Sequence, residues 1–289
     1  MIETTLDDSC DILVLGSRGR AGRLLRCLCP HPTPGDPLRL RWQSRRGGDG
    51  YLAWQPGLPP PQGLRAKTIL ALWGVTSGCD AALRVNSELA CAALELAGQI
   101  GAERVLHLSS AAVYGAGQVH PAREDGETRP LSPYGAAKLG MEAAIAAWHR
   151  NTPRAPVASV ILRLANLAGA DMLFGNLGKG GGMVLDRFAD GQGPSRSYLA
   201  PRDMLAVVAA LHRHKGALPP VLNVAGHHAV PMADILSAAG CAFGWRAAPE
   251  GALQCLEMES ALLDGLTGPL SDSSDARCLV AQWREGQQP

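Results

Sequence analysis

The chain has 289 residues, 46% of them hydrophobic and 4% aromatic, with 27 basic and 26 acidic side chains and a formal net charge of +1. That length can build one large domain or a nucleotide-binding domain with a smaller partner, its core filled by Leu, Val and Ala. The even charge excludes the strong field by which basic proteins hold nucleic acid or anionic membranes, a local patch aside.

Met1 to Cys10 is acidic and lacks a basic start followed by an apolar run, so it does not read as a signal peptide. No apolar run approaches the roughly 20 residues of a membrane span, so no membrane partner is expected. The eight cysteines are scattered. Cys27-Leu28-Cys29 is too tight for a zinc knuckle, and His212-x-His214 and His227-His228 read as polar surface, so no metal is expected. A reducing, cytoplasmic setting is the expectation.

In chain order, Asp11–Leu15 is a short continuous apolar run, the pattern of a strand buried on both faces. Glycines from Gly16 to Gly22 break it, and Arg23–Leu28 reads as a helix that stops before Pro30. Leu38–Trp42 alternates like a strand, and Gly47–Gly63 reads as loop around one weak strand at Tyr51–Trp54. Thr68–Trp73 (strand), Asp80–Ile100 (helix), Arg104–Ser109 (strand), Pro133–His149 (helix) and Val157–Leu164 (strand) follow. Beyond them, Gly175–Gly182 is glycine-dense, Met204–His212 helical, Val221–Val224 strand-like and Met232–Ala239 a short helix. This alternation predicts an α/β fold, a doubly wound parallel sheet of the Rossmann type with a small C-terminal substrate-binding subdomain. The expected division is residues 8–165 for the dinucleotide domain, with 203–226 returning to it, and 166–202 plus 227–289 for the subdomain. Ala81–Ala97 and Gly135–Ala147 are apolar or small around most of their circumference. Either they make a wholly intramolecular core, or a second face of helices 80–100 and 134–149 joins two copies in a homodimer.

Between the first strand and helix lies Gly16-Ser17-Arg18-Gly19-Arg20-Ala21-Gly22. A chain that turns sharply, approaches a pyrophosphate and packs a helix close to a strand needs residues without a Cβ. The helix N-terminus then offers N–H groups and partial positive charge to the phosphates. Gly16, Gly19 and Gly22, with Arg18 and Arg20 of the same loop, are therefore the candidate cofactor-binding residues. About 20 residues on, an Asp or Glu normally meets the adenosine ribose, but here the second strand runs into Gln43-Ser44-Arg45-Arg46. Arg45 and Arg46, with Arg18, suit a 2′-phosphate, which favours NADP with NAD as the alternative; incidental charge on a solvated loop is the other reading.

Tyr134 and Lys138 stand four apart at a helix start, one turn apart on one face. A nearby ammonium stabilises a phenolate, drawing the phenol down from about 10 toward a working pH. Such a Tyr can exchange a proton with a substrate hydroxyl or carbonyl while hydride moves to or from nicotinamide. Ser110 closes the preceding strand at its carboxyl edge, where doubly wound sheets bind ligands, and can hydrogen-bond the same substrate oxygen. Alone it reads as a strand-end cap; with Tyr134 and Lys138 it completes a catalytic set.

In the order and spacing of these pieces the chain resembles the extended short-chain dehydrogenase/reductase family, which contains nucleotide-sugar epimerases, dehydratases and reductases. The resemblance runs through Gly16-x-x-Gly19-x-x-Gly22, Asn86, Ser109-Ser110-Ala111-Ala112-Val113-Tyr114-Gly115 and Ser132-Pro133-Tyr134-Gly135-x-x-Lys138. It continues through Arg163-Leu164-Ala165-Asn166, Arg202-Asp203 and Leu222-Asn223-Val224-Ala225-Gly226, so it covers most of the chain. It implies catalytic roles for Ser110, Tyr134 and Lys138, with Tyr134 and Lys138 also at the cofactor and Lys138 holding the nicotinamide ribose. It further implies substrate contacts from Ser110 and Asn166, and from Arg196, whose other reading is surface charge. The implied partner is a small molecule, a nucleotide sugar among the candidates.

Two departures matter. Dehydratases of the family carry Asp-Glu directly after the catalytic hydroxyl, whereas this chain has Ala111-Ala112, which transfer no protons. That leaves keto reduction or 4-epimerisation, and the arginines lean toward an NADPH-consuming reductase. Trp54 stands near where relatives place an adenine-binding Asp. The reading from another class is an NADP-binding regulatory sensor without catalysis, against which the complete proton-transfer set argues.

Overall fold

The structure is a computed structural model and describes residues 9–29, 38–115, 121–177 and 182–287. Strands β1 (Ser9–Leu15), β2 (Leu40–Ser44), β3 (Leu52–Ala53), β4 (Arg65–Ala71), β5 (Arg104–Ser110) and β6 (Ala158–Leu164) come first, with helices α1 (Arg20–Leu28), α2 (Asp80–Ile100) and α3 (Pro133–Asn151) between them. Short strands β7 (Asn166–Leu167), β8 (Met183–Arg187), β9 (Ser195–Arg196) and β10 (Tyr198–Leu199) follow, with α4 (Met172–Leu177). Helix α5 (Pro201–Arg213) then leads back to β11 (Val221–Val224).

Seven strands pair in the order β11-β6-β5-β4-β1-β2-β3, every pair parallel. The order reverses direction between β1 and β4, the switch point at whose carboxyl edge a doubly wound sheet opens a crevice. Alternation along the strands divides the core between two faces. Ile12, Val14, Leu70, Leu106 and Leu162 pack with Leu24 and Leu25 of α1 and Met204, Val207 and Val208 of α5. Leu13, Leu15, Ile69 and Val105 pack with Ala90, Ala93 and Leu94 of α2 and Met141 and Ile145 of α3. The expected Rossmann architecture is therefore present.

Several boundaries differ from the sequence reading. β2 starts at Leu40 rather than Leu38, because its pairing with β1 runs from Ile12–Leu40 and its far end pairs with β3 through Gln43 and Ser44. β4 begins at Arg65, extended by pairing with Ser9 and Cys10, and ends at Ala71, so Leu72 and Trp73 leave the sheet. α1 begins three residues early, at Arg20, directly on the glycine loop.

The last third carries more structure than its sequence suggests. After β11 come β12 (Val230–Pro231), α6 (Met232–Ala238), β13 (Phe243–Ala247), β14 (Cys255–Leu256), α7 (Ala261–Thr267) and α8 (Ala276–Glu285). A separate core joins Phe174, Leu185, Tyr198, Ile235, Leu236, Leu279 and Val280. α8 starts on an Asp275 carboxylate that accepts the Arg277 and Cys278 N–H groups at 2.7 and 3.0 Å. Part of the glycine-dense stretch, residues 178–181, lies outside the described residues. Among the described residues no helix is long and apolar enough to cross a membrane, and no cluster of three His, Cys, Asp or Glu could hold a metal.

Candidate active site

The turn from β1 to α1 is tight because two glycines have no room for a side chain. Gly16 has φ +76°, and a Cβ there would stand 2.6 Å from the Cα of Trp73. At Gly22 a Cβ would stand 2.5 Å from the Cα of Ser17. Gly19 N–H donates to the Gly16 carbonyl at 2.9 Å, and Gly19 caps α1 without a side-chain bond or an acidic residue in the first turn. Gln43 locks the loop from below. Its Oε1 accepts the Gly16 N–H at 2.9 Å, its carbonyl accepts the Ser17 N–H at 3.1 Å, and its Nε2 donates to the Trp54 carbonyl. The result is a helix N-terminus facing the sheet's carboxyl edge, the arrangement that receives a phosphate.

A cleft of about 870 Å³ opens there, lined among others by Gly16, Arg18, Gly19, Ser44, Arg45, Arg46, Trp73, Gly74 and Val75. The structure thus brings the three arginines of the 2′-phosphate reading to one cleft. Arg45 and Arg46 are exposed. Arg18 is held: it donates to the Gly47 carbonyl at 3.0 Å, and its guanidinium lies 4.6 Å from the Tyr51 ring centroid. Its guanidinium also lies 3.7 Å from the Asp49 carboxylate. The sequence reading found no acid at this end; the turn 47–50, with Asp49 at φ +48°, folds one back onto the arginine. Arg20 is placed elsewhere, beside Gly175 and Asp171 rather than in the cleft lining. Trp54 is buried, stacks on Trp73 with centroids 6.0 Å apart, and donates its indole N–H to the Leu58 carbonyl.

At the other end, Ser110 closes β5 and its Oγ accepts the Ala112 N–H at 3.2 Å, starting a one-turn helix. α3 begins at Pro133, capped by Ser132, whose Oγ accepts the Gly135 N–H at 3.1 Å. It packs so close to the Ser110 turn that a Cβ at Gly135 would lie 2.4 Å from the Ala112 carbonyl. That approach brings the Tyr134 hydroxyl to the Ser110 side of the turn. Lys138 follows one turn later, buried, its Nζ 6.0 Å from the Tyr134 ring centroid and donating to the Leu108 carbonyl at 2.7 Å. Gly74 joins the two ends: it lines the cleft, and a Cβ on it would be 3.4 Å from Lys138 Nζ. Asn86 fixes that wall through paired bonds to the backbone of Val75, both at 3.0 Å.

Burial dominates the electrostatics here. It pulls Lys138 down to about 8, with the nearby Glu142 carboxylate pulling the other way. It pushes the Tyr134 phenol up, with the Ser110 hydrogen bond opposing. The downward pull expected from the lysine does not prevail: the cost of removing a phenolate from water dominates, and the influence that opposes it is the Ser110 hydrogen bond.

The two remaining candidates lie beyond β6. Asn166 donates its N–H to the Ser197 carbonyl at 3.1 Å, and its side chain lies beside the Tyr198 hydroxyl. Arg196 spends its guanidinium on carbonyls, those of Ser195, Gln254 and Leu253 at 2.6, 2.9 and 2.7 Å, and so clasps the 253–254 segment. Asp171, which the sequence reading passed over, sits between Arg20 and Tyr198; burial pushes its carboxyl up to about 6. Its one sequence signal is as a cap, since its Oδ1 accepts the Phe174 N–H at 3.1 Å.

The family model described as the NAD dependent epimerase/dehydratase family matches residues 76–225. A UDP-glucose 4-epimerase of Azospirillum brasilense is 47% identical over 72 residues, 25% of this chain and 20% of that protein, so the aligned stretch spans about a fifth of the relative. Among solved structures, MoeE5 in complex with UDP-glucose and NAD superposes with a TM-score of 0.71 at 20% identity, covering 95% of this chain and 98% of the other. The Thermus thermophilus UDP-glucose 4-epimerase complex with NAD gives 0.69 at 20% identity, covering 95% and 99%. At such identities the superpositions carry the fold. The family match takes in just over half of the chain, from the loop after β4 to the end of β11, and Ser110, Tyr134 and Lys138 lie inside it. The chain belongs to the NAD dependent epimerase/dehydratase family.

Proposed function

We propose that the chain moves a proton and a hydride at one carbinol or ketone carbon of a nucleotide sugar, with Ser110, Tyr134 and Lys138 as the catalytic residues. The observation that carries this reading is the single wall, Gly74, shared by the cleft beside the glycine loop and by buried Lys138. The residues present fit a dinucleotide: Gly16 and Gly22 leave a cradle that a Cβ would fill, and no side chain caps α1. Gly16, Gly19 and the first turn of α1 would hold its pyrophosphate, and Lys138 its nicotinamide ribose. When bound, the nicotinamide supplies the site that accepts or returns hydride.

In the oxidising direction Tyr134 takes the hydroxyl proton as hydride leaves the same carbon, while Ser110 holds the oxygen. Return of hydride to the opposite face of that carbon, and of the proton to its oxygen, gives the 4-epimer. Ala111 and Ala112 offer no acid or base for removing water. The match to a UDP-glucose 4-epimerase supports epimerisation. A second reading, reduction of a keto group with NADPH, draws on the arginine rim and on Tyr134, whose raised phenol holds a proton ready to donate. In both readings residues 166–202 and 227–289 are the substrate-binding subdomain. Two copies meet through α2 and α3, where Ala136, Gly140, Ala143 and Ala146 are exposed.

Identification of any copurified dinucleotide, separate NADH and NADPH titrations, and incubation with UDP-glucose or UDP-galactose test the proposal. Interconversion of the sugars without net dinucleotide change favours epimerisation; stoichiometric NADPH oxidation by a keto sugar favours reduction. Absence of binding by either dinucleotide sinks both. Sedimentation of the chain and of Ala143→Arg tests the dimer.

A further inference from the structure

Behind the three candidate catalytic residues lies a buried ionic cluster that the proton and hydride steps do not use. Glu142 and Arg163 meet as a fork, Nη2 to Oε2 at 2.9 Å and Nε to Oε1 at 3.2 Å, with 8% and 7% of their side chains exposed. Ser109 Oγ donates to the same Oε1 at 2.5 Å. Arg163 Nη1 also donates to the Tyr114 hydroxyl at 3.1 Å and the Glu124 carbonyl at 3.0 Å, and the Tyr114 hydroxyl donates to Asn223 Oδ1 at 2.6 Å.

A buried ion pair contributes little net stability over apolar residues of the same volume, because desolvation offsets the attraction. The places these residues occupy supply another reason for the pair. Ser109 adjoins Ser110. Tyr114 ends the turn that Ser110 starts. Glu142 lies one helical turn beyond Lys138, on the same face of α3. The cluster therefore connects the strand end, the turn and the helix that together present the trio.

Lys138 is faced by Tyr134 and Glu142 from α3, by His107 and the Leu108 carbonyl from β5, and by Gly74 in the loop after β4 with Asn86 of α2 behind it. Burial holds His107 neutral, down at about 3. Among the described residues, Glu142 is the charge that opposes the downward pull of burial on Lys138.

We infer that Glu142 is a positioning residue: through Ser109 and Arg163 it fixes the Tyr134–Lys138 face against the strand end bearing Ser110, and it is the countercharge to the buried Lys138 ammonium. The inference rests on the proposed function for the roles of the trio, while its electrostatic part concerns Lys138 alone.

Carbon-13 labelling at lysine Cε tests it, since the chain has four lysines and Lys138→Arg assigns the resonance. In the intact chain the Lys138 signal is expected to titrate near pH 8. In Glu142→Gln its midpoint falls by about 1 unit or more while the other three stay, and Glu142→Asp restores it. The double variant Glu142→Leu, Arg163→Met, which leaves no buried charge stranded, keeps the test open if Glu142→Gln does not fold: the midpoint falls in the same direction, by less because the Arg163 charge leaves with the carboxylate. The dissociation constant for NADH or NADPH, whichever binds the intact chain, rises about tenfold in Glu142→Gln at pH 7. An unchanged midpoint in a folded variant overturns the countercharge, and an unchanged dissociation constant overturns the positioning. Failure of the intact chain to bind either dinucleotide counts against the proposed function, and the midpoint still judges the link to Lys138.

Discussion

Tyr134 and Lys138 stand on a helix pinned by hydrogen bonds at Gly135 and Lys138, while Arg45 and Arg46 stand on an exposed turn lining the cleft on the other side of Gly74. Lys138 is 4% exposed and donates to a β5 carbonyl; the Asp49 carboxylate beside Arg18 is 87% exposed. At the buried end a charge is expensive, so Lys138 is placed by a partner and little else can take its position. At the exposed end water screens each charge, so Arg18 can exchange Asp49 for another anion at small cost. One end therefore holds its groups at fixed positions, and the other leaves them free to move.

The largest expected effect tests the buried end. Tyr134→Phe should lower turnover by about 10²–10⁴-fold, the usual worth of a placed acid–base group, and leave dinucleotide affinity nearly unchanged. Equal loss of binding would mean that the hydroxyl supports the fold rather than the reaction.

Gly22→Ala comes next. Its methyl would press on the Ser17 backbone, which cannot yield without opening the loop. Overpacking of this kind costs about 1–3 kcal/mol, and a loop that opens loses the dinucleotide as well. Wild-type melting together with wild-type titration curves would refute the tight-turn account.

A smaller effect concerns Asp171, whose carboxyl is raised in the fold from 3.8 to about 6. Below pH 3.8 both folded and unfolded chains hold the proton and the residue costs nothing. As pH rises toward 6, the unfolded chain loses its proton first, so stability falls. Above 6 the loss is constant, up to about 3 kcal/mol. Asp171→Asn should therefore match the wild type near pH 4 and melt higher above pH 6, as read by thermal denaturation. A difference independent of pH would remove the titration argument.

The smallest effect probes the exposed rim. Arg45→Ala with Arg46→Ala should weaken NADPH about tenfold and NADH little, and salt should shrink the difference. Equal weakening of both dinucleotides would assign the arginines to general charge. Asp49→Asn sharpens the same contrast by freeing Arg18, and should favour NADPH further.

The sheet was legible because its strands are buried on both faces. Asp11–Leu15, Thr68–Ala71 and Val105–Leu108 contain few polar residues, and apolar runs bounded by glycine or helix signals leave few alternatives. The trio was legible for a related reason: Tyr134 and Lys138 are four apart on one helix, and Ser110 ends the strand before it. The last third was harder. Phe174, Tyr198, Ile235 and Leu279 share one core although long stretches of chain separate them, and no local period announces it. α8 docks on that core through Leu279 and Val280, whereas α7 docks through Leu263 on the core shared with α1 and α5; at ten and seven residues both are too short for a period to announce them.

Local sequence, then, determined the parallel sheet, the glycine loop and the helical face of Tyr134 and Lys138, because those features rest on spacings within one or two elements. Tertiary structure alone decided that Asp49 folds back onto Arg18, that Arg196 serves three carbonyls, and that Glu142 meets Arg163 across 21 residues of chain. It also reversed the expected pull on Tyr134, because burial is a property of the packed chain and here outweighs the Ser110 hydrogen bond that opposes it. Spacing can place a charge on a helix, but the packing of the folded chain decides which partner it meets and how much water it keeps.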